Sequence, residues 1–246
     1  NILIASFKFF AASISGSSAL MAEAYHSVSD TGNQILLLFG HNLSKKKPDD
    51  KHPFGYGKEK FFWSFIVALA LFGTTGVLSI REGLNKLGNP EPIQNLGWTL
   101  AAIGLGLVLD GTTFTYAMSL LKKFKDKEQL PSYWQAIRQS KDATTLTVVF
   151  EDFIALVGLI IAGTAILASH YTGNMAYDAY ASMAIGGLLL FFAFILAYEV
   201  KGLLIGESLS VRKRQIIRKK LESFKEVERV ITFRTMHLTE NEVLIT

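Results

Sequence analysis

"FFWSFIVALALFGTTGVLSI" (residues 61–80) runs its whole length without a charged side chain. A helix rises about 1.5 Å per residue, so a run of this length matches the roughly 30 Å of hydrocarbon in a bilayer. "AIGGLLLFFAFILAYEV" (184–200) repeats the pattern, with Glu199 arriving only near its end. Half of the 246 residues are hydrophobic, a share that a soluble chain of one or two domains also reaches. What separates this chain is their collection into blocks, at about 2–19, 21–43, 61–88, 97–121, 143–169 and 177–205. Those blocks predict a membrane all-α bundle of six transmembrane helices over residues 1–206. They recur along the chain, so a signal peptide does not explain them.

The connections alternate in charge. "SKKKPDDKHPFGYGKEK" (44–60) carries six lysines, and 122–142 carries five lysines and Arg138. By contrast, 81–96 holds only Arg81 and Lys86, and 170–176 has neither Lys nor Arg. The positive-inside rule then puts both termini and the two basic connections in the cytoplasm, at the plasma (inner) membrane if the chain is prokaryotic. After Leu204 the composition changes. "GESLSVRKRQIIRKKLESFKEVERV" (206–230) has a Ser cap candidate and helical charge spacing. "VERVITFRTMHL" (227–238) and "EVLIT" (242–246) read as two strands joined by "TEN". Residues 207–246 are thus expected to begin a small cytoplasmic α/β domain of ferredoxin-like type. The chain opens at Asn1 without Met and closes inside an apparent strand, so it is expected to be part of a longer protein.

"AEAYHSVSDTGNQ" (22–34) brings Glu23, His26 and Asp30 into the second block. An Asp at the centre of a membrane helix costs about 2.5–3.5 kcal/mol on insertion scales, so its default reading is functional. His26 and Asp30 stand one turn apart on one face, and Glu23 extends the stripe. Imidazole and carboxylate at this spacing suit a divalent transition metal; a His–Asp pair bracing two helices is the blander reading. The chain has no cysteine, which excludes thiolate ligands and disulfides within it. A second acidic pair, Glu151 and Asp152, interrupts "TLTVVFEDFIALVGLIIAG" (145–163). Consecutive helical residues point about 100° apart, so one of the pair is expected to face His26 and Asp30. Asp152 is the favoured ligand, with Glu151 a reserve ligand or proton carrier. Asp110 lines the pathway or accepts hydrogen bonds between helices. Lys8 is read as snorkelling to the interface, His41 and His170 as interfacial, Asp178 as a cap of the sixth block, and His237 as a surface residue.

"SGSSALMAEAYHSVSD" (15–30), "PDDKHPFGYGKEK" (48–60), "EDFIALVGLIIAG" (151–163) and "YDAYASMAIGGLLL" (177–190) together resemble the cation diffusion facilitator family. "LLIGES" (203–208) and "TMHLTENEVL" (235–244) point to its zinc transporter 9-like branch and prokaryotic relatives. The resemblance implies a homodimeric exchanger that moves a divalent cation, commonly Zn2+, out of the cytoplasm against protons. It also implies two ligands from the second helix, His26 and Asp30, and two from the fifth, at Asp152 and four residues before it. That earlier position is Val148, which cannot bind metal. A loop metal site of some bacterial members is matched by Asp49 and His52, but Tyr56 stands where a second His is expected.

Metal binding needs neutral imidazole and ionised carboxylates, so protons compete with the cation, and His26 is the pH-sensitive member, with an ordinary pKa of about 6.5. An oxygen-rich site also suits manganese, iron or cobalt. A channel, and a metal-sensing or assembly protein without transport, are the rival readings. No phosphate-binding loop and no HExxH or serine-nucleophile motif occurs, so no enzymatic chemistry is expected. Neither a prosthetic group nor a nucleic-acid partner is expected.

Overall fold

A computed structural model describes residues 2–140, 143–239 and 242–246. Lys141 and Asp142 of the second basic connection, and Glu240 and Asn241 of the expected hairpin turn, lie outside the described residues. The order is α1 (Ile2–Ser15), α2 (Ser18–Ser44), α3 (Glu59–Ile66), a π-helical turn (Val67–Phe72) and α4 (Gly73–Gly88). Then come α5 (Leu96–Lys127), α6 (Tyr133–Gln139), α7 (Ala143–Thr172), α8 (Ala176–Ile205) and α9 (Val211–Glu222). Two short strands, β1 (Thr235–His237) and β2 (Val243–Ile245), pair antiparallel with Met236 opposite Leu244.

Among the described residues, four helical stretches are long and apolar enough to cross a membrane. They are Glu59–Gly88, Leu96–Lys127, Val148–Thr172 and Ala176–Ile205. The other two expected spans behave differently. α1 has 14 residues, about 21 Å of helix, because the chain turns at Gly16 with φ of 66°. α2 has the length, at 27 residues, but its polar stripe lowers its hydropathy. α6 falls in what the sequence presents as a loop; the Ser132 side chain caps it by accepting from the Gln135 amide at 3.2 Å.

The helices bury small residues beside large ones such as Leu20, Phe61 and Ile154, and leave many large apolar side chains outside. Small residues such as Ala11, Ala12, Ala19, Ala22 and Ala162 are buried, while Phe10, Leu38, Val108, Phe191 and Phe194 are exposed. This is the pattern of helices that meet through small side chains and present large apolar ones to lipid. α4 and α8 approach most closely. A methyl group on Gly76 would sit 2.9 Å from the Gly186 carbonyl oxygen, and one on Gly186 2.6 Å from that of Gly76.

One end of the bundle is tied at the α1–α2 turn. Asp178, in the first turn of α8 and fully buried, accepts hydrogen bonds from the Ser17 hydroxyl (2.6 Å), the Ser18 amide (2.7 Å) and hydroxyl (3.0 Å), and the Ala19 amide (3.3 Å). The sequence suggested that Asp178 caps its own helix; its carboxylate instead caps α2, satisfying amides that have no partner within that helix. The Lys86 ammonium closes the turn by donating to the Gly16 carbonyl at 2.6 Å. At the other end, the Ser210 side chain caps α9 by accepting from the Lys213 amide. His237 proves buried rather than superficial, its amide bonded to the Glu207 carbonyl at 3.0 Å. The hairpin lies against the 44–58 connection, where Gly57 meets Leu238 and Thr239.

Removing the Asp178 carboxylate leaves several buried donors without acceptors. Asp178→Ala is therefore expected to lose about 2–3 kcal/mol of stability, read as a lowered thermal midpoint in detergent, with Asp178→Asn intermediate.

Candidate metal site

Polar residues of α2, α5 and α7 converge on one cavity of about 90 Å³. Each helix supplies a stripe at helical spacing: Ser27, Asp30 and Gln34 from α2, Asp110 and Thr113 from α5, and Val148, Glu151, Asp152 and Ala155 from α7. The i, i+3, i+4 repeat is what one face of a helix presents. Four carboxylates thus share a space that holds little more than an ion and a few waters.

His26 lies behind this lining, fully buried, with Nδ1 3.5 Å from Asp30 Oδ1. Both members of the acidic pair line the cavity. Glu151 is the more buried of the two. Glu151 Oε1 and Asp152 Oδ2 have no hydrogen-bond partner among the described residues. Buried carboxylate oxygens in that condition are costly and call for a cation or a proton. Val148 occupies the cavity wall at the position where the resemblance implies a fourth ligand. Among the described residues, no three His, Asp or Glu side chains converge tightly enough to hold one ion.

Lys8 overturns its expected role. It does not snorkel to an interface but is 1% exposed, with its ammonium 3.2 Å from Asp110 Oδ2 and 3.6 Å from Glu23 Oε2. Glu23 therefore pairs with α1 and does not reach the cavity lining, whereas Asp110 both lines the cavity and bonds to Lys8. Gln34 and Thr113 were also missed. Their signal was present, since each stands one turn beyond an acid already singled out.

In the 44–58 connection, Asp49 braces a turn. Its Oδ2 accepts from the Tyr56 hydroxyl at 2.7 Å, and its Oδ1 from the His52 and Lys51 amides at 2.7 and 3.0 Å. His52 stacks on Tyr56 with centroids 4.2 Å apart. A metal bound by Asp49 and His52 would have to share the carboxylate with these protein donors. The Tyr56 hydroxyl first, then the backbone amides, holds the Asp49 carboxyl below its ordinary value.

Comparison with known proteins gives the same region a lineage. The family model of the cation efflux transmembrane domain matches residues 1–205. Metal tolerance protein C4 of Arabidopsis thaliana is 34% identical over 209 residues, 85% of this chain and 46% of that protein. The proton-coupled zinc antiporter SLC30A9, mitochondrial, is 34% identical in Xenopus laevis and 33% in Homo sapiens, each over 217 residues. That is 88% of this chain and 39% and 38% of those proteins, respectively. The chain thus spans under half the length of these relatives.

For the loop, the depressed Asp49 pKa stabilises the turn above the ordinary carboxylate value of about 3.9. That contribution disappears as the pH falls through the lower folded value. Tyr56→Phe is expected to raise the Asp49 pKa towards the ordinary value and to speed hydrogen exchange at the His52 amide. Unchanged exchange and titration by NMR would show that the phenol is not the brace.

Proposed function

The chain belongs to the cation efflux (cation diffusion facilitator) family, and from that premise we propose that it carries a divalent metal cation, zinc foremost, across a membrane in exchange for protons. The family is one of transporters rather than enzymes. The observation that carries the reading is the cavity between α2, α5 and α7, with Asp30, Glu151 and Asp152 on its wall and His26 against Asp30. Asp30 Oδ1, Glu151 Oε1 and Asp152 Oδ2, buried there without hydrogen-bond donors among the described residues, make a site that wants a cation. It is a compact cluster of strong ligands, which favours a carrier that binds and releases over a continuous pore.

In this mechanism the cation enters from one side and draws His26, Asp30, Asp152 and Glu151 inward, since the groups stand too far apart to ligate together beforehand. Closure of α2 on α7 around the ion, and opening on the other face, is alternating access about a central site. Protons then compete for the same imidazole and carboxylates, so their arrival on the far side expels the metal. With Val148 in the wall, the donor set is one imidazole among carboxylates. That balance supports manganese, iron or cobalt as the second reading.

The surrounding architecture in this proposal is a six-span bundle, α1 and α2 included, followed by the start of a ferredoxin-like domain. It functions as a homodimer, in the plasma (inner) membrane if the chain is prokaryotic, with both termini and the basic connections in the cytoplasm. The lysines of 44–60 support that orientation.

Two experiments test it. In proteoliposomes with an imposed pH gradient, Zn2+ flux is expected to follow the gradient and to fall about tenfold or more in Asp30→Ala and in Asp152→Ala. Flux that follows voltage but ignores pH would replace the exchanger with a channel. Equal flux in wild type and Asp30→Ala would leave a non-transporting metal sensor or assembly protein. The native chain lacks cysteine, so single substitutions report topology cleanly. In spheroplasts, Lys46→Cys is expected to resist an impermeant maleimide, and Asn174→Cys to be labelled.

A further inference from the structure

Lys8, Glu23 and Asp110 form a buried ionic group that the transport cycle above does not use. Lys8 comes from α1, Glu23 from α2 and Asp110 from α5, so the group ties three helices. The fit is built into the backbone. A methyl group on Gly106 of α5 would stand 3.0 Å from Lys8 Cε, and one on Gly158 of α7 would run into the Glu23 carboxylate. Two glycines therefore leave the room in which a lysine stem and a carboxylate lie, at depths where lone charges are costly. Glu23 oxygens have no hydrogen-bond donor among the described residues, so their electrostatic partner in this group is the Lys8 ammonium at 3.6 Å.

Asp110 is the joint between this group and the cavity. One oxygen lies 3.2 Å from Lys8, while the residue lines the same wall as Asp30, Glu151 and Asp152. Of the four cavity carboxylates, Asp110 is the one that bonds to Lys8. We propose that Lys8 sets the metal preference of the cavity by withholding Asp110 from the ion. This rests on the reading of the cavity as the cargo site. With Asp110 held by the ammonium, the ion meets His26 and three carboxylates, a set small enough for a four-coordinate ion such as Zn2+. With Asp110 released, a further hard oxygen joins, and the site moves towards ions that prefer more oxygen ligands, such as Mn2+. Lys8 is thus a positioning residue that acts through Asp110.

The test is equilibrium binding of Zn2+ and of Mn2+ to the purified chain in detergent. Lys8→Met is expected to tighten Mn2+ relative to Zn2+ by about tenfold, whereas Lys8→Arg keeps the wild-type ratio. Combining Lys8→Met with Asp110→Asn restores that ratio, which a general loosening of the helices would not do. Asp110→Asn alone also keeps the ratio, because the carboxylate is already withheld. An unchanged ratio in Lys8→Met overturns the proposal. So does a changed ratio in Asp110→Asn alone, a result that stands even if Lys8→Met fails to fold. Asp30→Asn separates the two levels. If it keeps metal binding, the cargo-site reading falls and this proposal with it. If it loses binding while Lys8→Met keeps the ratio, the role of Lys8 alone falls.

Discussion

The carboxylate of Asp178 holds the opening turn of α2, and the register of every polar side chain on α2 follows from where that helix starts. The Ser18 and Ala19 amides point at a buried anion, the most favourable partner for a helix N-terminus. The Ser17 side chain caps the same turn through the Leu20 amide. With α2 beginning at Ser18, Glu23, His26 and Asp30 come one after another down the inward face. Lys86 and Asn95 clasp the same turn from α4 and from the start of α5, through the carbonyls of Gly16 and Ile14. A loop of a few residues is thereby held by three other elements, which leaves α2 little freedom to slide or rotate at that end.

From that anchored end the helix runs into a region where charge must be answered by charge. Glu23 meets Lys8, and Asp30 meets His26. Beyond them, Glu151 and Asp152 retain oxygens without hydrogen-bond donors among the described residues, as do Glu23 and Asp30. The difference between the two groups is chemical. The Lys8 ammonium is tethered to its helix and cannot leave, whereas a cavity lined by carboxylates waits for something that can. Structural stability and capacity for exchange are assigned to neighbouring charges on the same helix.

Much of this was legible in the residues. The i, i+4 spacing of His26 and Asp30 is a local property, and helix geometry alone puts them on one face. Glu151 and Asp152 stood out because carboxylates are rare in so apolar a run. Lys8 was misread for an equally physical reason. A lysine in the first block of a membrane chain resembles one that reaches water, and only its distance to Asp110, 102 residues away, reveals otherwise. Asp178 misled in the same way, since an acid in the first turn of a helix ordinarily caps that helix. Its actual partners lie 159–161 residues upstream.

By itself the sequence determined where the long apolar stretches lie, which charges interrupt them, and the absence of cysteine from this chain. These are properties of composition and of spacing within one helix, where the backbone period of 3.6 residues does the positioning. The tertiary structure alone decided which buried charges meet. Whether Asp110 faces the cavity or Lys8, and whether Asp178 serves its own helix or α2, depends on how helices cross. Crossing is settled by contacts such as the close approach of Gly76 to Gly186, summed over the whole bundle and carried by no single segment.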